Sequence, residues 1–363
     1  MRTNKIKVFY NPKQVLALGS NRNFSKSPLK PKLLLEYLDE IGFGPYLEIT
    51  KAFSPFGNAA FCIAHSQQYV KSFFEGSDLA RTNGLNWSEQ FADSVRYTNS
   101  SLHAAIRNSL VNPSEVSFSP TSGFHHAKPH AGQGFCTFSG QVIASVKVWR
   151  ELGKVGCYLD LDGHFGNSIE DARKYQPDIN MAVPRGFNFN PVQYDKYYYK
   201  ELMHYLNTVL EPAILAGNID YVVWCHGADS HKDDDMAGRV STEYWIKCAT
   251  FFWSWVRYMD SKLGRPLPVS CALFGGYRSD DYNSVLSLHT ADLVECMKNL
   301  LDLAVTYEPT VSPKSERQYD YYRERPTPPT KFVSKSTDLR SRRQEIMDSD
   351  DAMLSLLRAK YYN

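Results

Sequence analysis

Short apolar runs alternate with longer segments of mixed polarity along this chain. The runs cover residues 6–10, 155–161, 221–225 and 269–274, and their near-continuous apolar character predicts parallel strands buried on both faces. Between them, apolar positions recur at helical spacing over 32–41, 197–216, 242–263 and 287–304. Strands alternating with helices predict an α/β protein built on one parallel sheet, with helices on both faces. Ligands of such sheets gather beyond the carboxyl ends of the strands. The residues just after each apolar run are therefore the first candidates for chemistry.

The rhythm breaks after about Thr306. Pro309, Pro313, Pro326, Pro328 and Pro329 stand among many charges up to Arg343, a composition that reads as a loosely ordered arm or linker. A helix is expected again over 349–361, capped by Ser349 or Asp350 and carrying Met353, Leu354, Leu356 and Leu357 as its apolar stripe. The expected division is a domain over 1–305 and a Pro- and charge-rich arm over 306–363. No internal repeat is visible.

Composition narrows the partners. Of 363 residues, 43% are hydrophobic and 22% charged, enough for a core that needs neither disulfides nor structural metal. The 41 basic and 39 acidic residues leave a net charge of +2, which gives no case for direct nucleic-acid or anionic-membrane binding. The seven cysteines are an odd, scattered set without a CxxC pair, which favours a reducing, intracellular setting and a cytoplasmic location. The start, MRTNKIKVFYN, has no apolar core of the secretory kind. No stretch reaches the roughly 18 apolar residues of a membrane span; the aromatic-rich 249–258 reads as a buried helix.

Four segments carry candidate chemistry. The run ending Asp160-Leu161-Asp162-Gly163-His164 puts Asp160, Asp162 and His164 on one face of an extended chain, where a carboxylate and an imidazole can share one metal ion. A helix cap followed by a surface histidine is the other reading. Asp229 follows Gly227-Ala228 at the end of the next strand. Alone it fits a helix cap; with Asp162 and His164 it makes three ligands with a position left for water, the pattern of a catalytic metal site. His125 and His126 lie in a Ser/Gly/Pro-rich loop followed by Gly134-Phe135, and imidazoles suit proton transfer to and from water. Gly275-Gly276-Tyr277 closes the last run. The glycines permit a sharp turn and close approach to a ligand, and Tyr277 can donate to a developing oxyanion, although it is one of 23 tyrosines.

Taken in chain order, with the histidine pair first, then Asp160 to His164, then Asp229, then Gly275 to Tyr277, the four segments resemble the histone deacetylase family over roughly residues 5–305. The likeness is closer to its bacterial-type, acetylpolyamine amidohydrolase-like members than to the eukaryotic histone enzymes. His65-Ser66-Gln67-Gln68-Tyr69 is similar to a His-Ser-x-x-Tyr helix of that family, and Thr98–Ala105 to a helix start. The resemblance implies the arginase/deacetylase fold with about eight strands, and zinc on Asp162, His164 and Asp229. It implies His126 as general base and then acid, His125 as electrostatic helper, and Asp160 and Asn167 as the groups that orient the two histidines. Tyr277 would polarise an acetyl carbonyl. Gly134 and Phe135 would line a narrow channel, with Phe187 or Phe189 on the other wall. A potassium ion near Asp160 is a further implied cofactor, and ferrous iron suits the same donor set as zinc.

The implied reaction is hydrolysis of the acetamide of acetyl-lysine, an acetylated polyamine or a small acetylated amine, in a chain that can self-associate. Asp78, Glu89, Asp93 and Asp233 to Asp235 are candidate acids at the mouth. Phe165 replaces the second histidine of the family's Asp-x-Asp-x-His-His run. Two alternatives stand beside this reading. One is a catalytically silent module that binds acyl-lysine. The other is an arginase-like two-manganese hydrolase, which needs a carboxylate where His231 stands.

Overall fold

A computed structural model of the chain describes residues 2–16, 25–121 and 123–314. The expected helix at 349–361 and most of the Pro-rich arm lie outside them. The compact unit that holds the sheet runs to Lys314.

Seven parallel strands form one sheet among the described residues, in the order β2-β1-β3-β7-β6-β4-β5. They are β1 (Ile6–Phe9), β2 (Leu47–Thr50), β3 (Val116–Ser119), β4 (Gly156–Asp160), β5 (Asn188–Phe189), β6 (Tyr221–Cys225) and β7 (Val269–Ala272). Alternation along the central strands divides the interior into two cores. Cys157 and Leu159 of β4, Val222 and Trp224 of β6, and Val269 and Cys271 of β7 face one core. Tyr158, Tyr221, Val223, Cys225 and Ala272 face the other. With both faces covered, no position on these strands needs to be polar, which is why they read as continuous apolar runs. No described helix is long and apolar enough to cross a membrane.

Helices Lys30–Glu40, Asp195–Tyr205, Thr242–Leu263 and Tyr282–Asn299 supply the first core. Glu89–Val111 and Gly140–Leu152 supply the second. The expected single helix over 197–216 is broken by a π turn at Leu206–Leu210, just before Pro212, which has no N–H to continue the regular ladder. The expected helix start near Thr98 is corrected: the helix runs through it from a Ser88 cap. The four central strands, β3, β7, β6 and β4, end side by side, and their following loops carry the four segments singled out in the sequence.

Candidate functional site

Asp162 and His164 follow β4, Asp229 follows β6, the histidine pair follows β3, and Gly275 to Tyr277 follow β7. One donor atom each from Asp162, His164 and Asp229 lies within 4.8 Å of the other two. His164 Nδ1 is 2.9 Å from Asp229 Oδ2 and 3.3 Å from Asp162 Oδ1. Backbone N–H groups hold the carboxylates: Gly275 donates to Asp162 Oδ2 at 2.8 Å and Gly163 to Asp229 Oδ1 at 2.9 Å. A Cβ at Gly275 would stand 2.7 Å from Asp162 Oδ2, and one at Gly227 would stand 2.5 Å from Asp229 Oδ1. The two glycines leave room for nothing but the carboxylates.

Burial works against charge here, and the charges that persist do so in pairs. Burial opposes protonation of His164, yet the hydrogen bonds it makes to the Asp162 and Asp229 carboxylates outweigh it and raise the imidazole to about 11. Asp229 is pushed up to about 6 by burial and by Asp162 beside it. Two buried carboxylates thus pull a proton onto the His164 imidazole between them. That is the charge a divalent cation would supply, and an O,O,N donor set with an open side fits such an ion.

The histidine pair is split by its partners. His125 Nδ1 lies 3.0 Å from Asp160 Oδ2; burial opposes its charge, but Asp162 and Asp160 hold it up at about 9. His126 Nδ1 lies 3.0 Å from Asn167 Oδ1, and burial together with charged His125 brings it down to about 4. The Asn167 amide is itself oriented, because its Nδ2 donates to Asp171 Oδ2 at 2.5 Å. A carboxylate only accepts, so Asn167 turns its oxygen to His126. That assigns the proton of neutral His126 to Nδ1 and leaves Nε2 with a free lone pair. The two imidazole rings are 4.1 Å apart, and His126 is 5.9 Å from His164.

Tyr277 completes the ring of side chains, 6.3 Å from His164 and 5.6 Å from Phe135 between ring centroids. Burial keeps its hydroxyl protonated. Gly134 and Phe135 are both left-handed, at φ 52° and 61°, and a Cβ on Gly134 would stand 2.7 Å from His126 Cδ2. Phe187 and Phe189 do not join this group. Phe187 packs against both cores, and Phe189, paired with Leu159 in the sheet, stacks on Tyr205 at 4.3 Å. The two-metal alternative loses its ligand: His231 receives the Asp233 N–H at Nδ1 and bonds Thr242 Oγ1 through Nε2.

Sequence reading missed Lys30. It is fully buried, and its Nζ donates to the carbonyl of Phe274, a residue at φ 59°. Burial lowers its pKa to about 8, while Asp229, Asp162 and Asp234 pull the other way. A signal was present: helical spacing puts Lys30 on the stripe of buried Leu34 and Leu38. Asp234, expected among the candidate acids at the mouth, has another role: its Oδ2 accepts the Tyr277 N–H at 2.6 Å. The Asp233–Asp235 run is not an open acidic mouth, since Asp234 is buried and Asp235 pairs with Lys314 at 3.0 Å.

The fold and this arrangement define an α/β protein of the arginase/deacetylase fold with a candidate metal site at its strand ends. Comparison with known proteins leads to the same class. Residues 25–183 match the histone deacetylase domain. The chain is 28% identical to histone deacetylase 8 of Xenopus laevis, over 37% of this chain and 48% of that protein. It is 31% identical to the chloroplastic histone deacetylase 14 of Arabidopsis thaliana, over 32% of this chain and 31% of that protein. A longer match, 21% identical, joins it to histone deacetylase 8 of Danio rerio over 70% of this chain and 75% of the relative. The chain thus spans less than half the length of the first two relatives. The crystal structure of the HDA15 HD domain superposes with a TM-score of 0.62 at 15% identity, covering 84% of this chain and 91% of that one. The expected lean toward bacterial-type enzymes gains no support from these animal and plant relatives. Asp229 and Tyr277 lie beyond the matched 25–183, so their convergence on Asp162 and His164 comes from the fold alone.

Proposed function

We propose that this protein hydrolyses the acetamide of an acetylated amine, with a divalent metal, zinc in the first place, held by Asp162, His164 and Asp229. The observation that carries the reading is the meeting of those three donors within 4.8 Å beside two histidines of opposite character. When bound, the ion would supply Lewis acidity, lowering the pKa of water toward about 7 and polarising a carbonyl oxygen.

The remaining work falls to the chain's own groups. His126, neutral and protonated on Nδ1, offers Nε2 to take a proton from the attacking water and return it to the departing amine. Asn167 and Asp171 hold it in that tautomer. His125, kept cationic by Asp160 and Asp162, supplies fixed positive charge where negative charge develops. Tyr277 donates its hydroxyl to the acetyl oxygen. Gly134 lets the wall approach His126, and Phe135 beside Tyr277 gives an apolar passage for an aliphatic stem. Burial of Asp234 and the pairing of Asp235 with Lys314 leave little open acidic surface in this run for a polycationic acetylated polyamine, which favours acetyl-lysine.

The test is an initial-rate comparison of an acetyl-lysine peptide and acetylputrescine, with and without chelator and with zinc restored. Turnover of the peptide that chelator abolishes and zinc restores is the expected result. A zinc-loaded protein inert toward every acetylated amine, yet still binding the peptide, would replace the reading with the silent acyl-lysine module.

A further inference from the structure

We propose that residues 306–314 form a strap whose Lys314 is a positioning residue for Tyr277; the inference rests on the proposed hydrolase reading for Tyr277's role. After the Tyr282–Asn299 helix the chain doubles back along it. Tyr307 bonds Ser287 Oγ at 2.7 Å and Tyr37 at 3.0 Å. Thr310 N donates to Ser287 Oγ at 2.8 Å, and Ser312 N to Ser284 Oγ at 3.0 Å. Ser312 Oγ donates to Asp281 Oδ2 at 2.6 Å, and its carbonyl accepts from Arg278 Nη1 at 2.9 Å. The partners step back in order, from Ser287 to Arg278, which adjoins Tyr277.

The strap reaches the loop that grips Tyr277. Tyr277 N donates to Asp234 Oδ2 at 2.6 Å, and Tyr277 O accepts from Asp235 N at 2.8 Å. Asp235 Oδ2 also accepts from Ser279 N and Oγ, both at 2.8 Å. Both backbone polar groups of Tyr277 are therefore fixed by two consecutive aspartates. Three adjacent carboxylates, Asp233 to Asp235, repel one another, and burial forbids Asp234 and Asp235 much help from solvent. Lys314 Nζ lies 3.0 Å from Asp235 Oδ1 and donates to Asp234 O at 3.2 Å, with side-chain exposures of 8% for the lysine and 6% for Asp235. Lys314 N reaches Asp233 Oδ1 at 3.5 Å. Lys314 is thus the cation that pairs directly with Asp235, while Lys30 and Arg278 act on Asp234 and Asp233 from further off. A buried pair stripped of one partner leaves an uncompensated charge, which this loop can relieve only by moving, and Tyr277 moves with it.

The test uses the full-length, zinc-loaded chain with Lys314→Met, Lys314→Arg and the double change Asp235→Asn with Lys314→Met. It reads backbone hydrogen exchange in a peptide spanning Tyr277, kcat and KM on an acetyl-lysine peptide, and zinc content. Lys314→Met is expected to raise exchange at the Tyr277 peptide at least about tenfold. It should lower kcat by about 10- to 100-fold, the range a small misplacement produces, with KM within about twofold and zinc unchanged. Lys314→Arg, which keeps the charge, should restore both to within about threefold. Wild-type exchange and kcat in Lys314→Met would overturn the proposal, and so would failure of arginine to rescue. Should Lys314→Met not fold, the charge-balanced double variant decides: recovered folding with Tyr277 exchange and kcat near wild type supports the strap, because no charge is left unpaired, and a double variant that still fails to fold or stays altered overturns it. Exchange does not depend on turnover, so a wild-type chain inactive on acetyl-lysine would sink the functional reading while the exchange arm still judges the strap.

Discussion

Gly275→Ala probes the candidate metal site more directly than loss of any ligand, because it leaves every donor in the chain. The Gly275 N–H holds Asp162 Oδ2 at 2.8 Å. The added Cβ would stand 2.7 Å from that oxygen and clash harder with the Asp229 carboxylate. Gly275 is not left-handed, so alanine meets no backbone penalty and the whole effect is steric. Ordinary carbon contacts lie near 3.5 Å, so both carboxylates must retreat by roughly half an ångström or more. Metal ligation tolerates about 0.2 Å. Changes that merely disturb the groups behind a ligand weaken metal binding by about 10- to 100-fold. Displacing two ligands at once should therefore reach about 100-fold, or about 2.8 kcal/mol. Overpacking adds a stability loss of about 1–3 kcal/mol that persists in chelator.

Zinc competition against a chromogenic chelator, with thermal melts in zinc and in excess chelator, separates the two effects. Gly276→Ala is the control. Its Cβ would meet Val285 Cγ1 at 2.5 Å and Ala228 Cβ at 3.3 Å, at φ 153°. It should cost stability with far less loss of zinc. Wild-type zinc affinity in Gly275→Ala would show that Asp162 and Asp229 do not hold the ion.

Three further outcomes follow from the same geometry. Tyr277→Phe should lower kcat by about 10²- to 10³-fold with zinc content unchanged; an unchanged kcat would remove Tyr277 from the reaction. Asp171→Ala frees the Asn167 amide to turn over, so long-range nitrogen NMR should find His126 in mixed tautomers and kcat should fall by less than about 100-fold; a single Nδ1–H tautomer in the variant would refute the orientation argument. Burial holds His65 down to about 3, with Nδ1 on Lys128 O and Nε2 taking the Ser139 N–H. Its unfolded value is near 6.5, so the unfolded chain takes up the proton first. Its stabilising contribution is complete above about pH 6.5 and is lost as pH falls toward 3, on the order of 4 kcal/mol in all. Denaturant unfolding at pH 7 and 4.5 should show that loss, and His65→Asn should flatten it; an equal slope in the variant would exonerate His65.

The parts of the fold legible in the sequence are those whose burial is apolar throughout. β6 and the Thr242–Leu263 helix match their expected bounds because every residue of β6 is buried, and because the helix carries a regular buried stripe through Trp245, Ala249, Phe252, Val256 and Met259 until Gly264, left-handed at φ 64°, stops it. β3 was missed because Ser117 and Ser119 interrupt its apolar run. Both are buried, and they bond Asn108 and Ser101 of the helix across the sheet face. β2 has one buried residue in four, and β5 is two residues long, so neither carries a period. The false helix start at Thr98 has a similar cause. Asn99, Ser100 and Ser101 are buried mid-helix, where small polar residues look like a cap until their packing is seen.

The site divides along the same line, between what a strand end dictates and what only the folded chain brings together. Asp160, Asp162 and His164 are placed by two-residue periodicity on one strand, and Asp229 and Tyr277 by the parallel sheet that aligns strand ends, so a sequence reading can reach all of them. His125 and His164 balance these carboxylates within the site, and two further cations come from elsewhere: Lys30 from the first helix, acting on Phe274 O, and Lys314 from the strap, acting on Asp235. Neither belongs to a motif, because a charge can be balanced from any direction and no spacing constrains it. Carboxylates clustered at one sheet edge nonetheless require such partners somewhere. A lysine on an otherwise apolar helical stripe is therefore a legitimate sequence-level prediction of where one of them will be found.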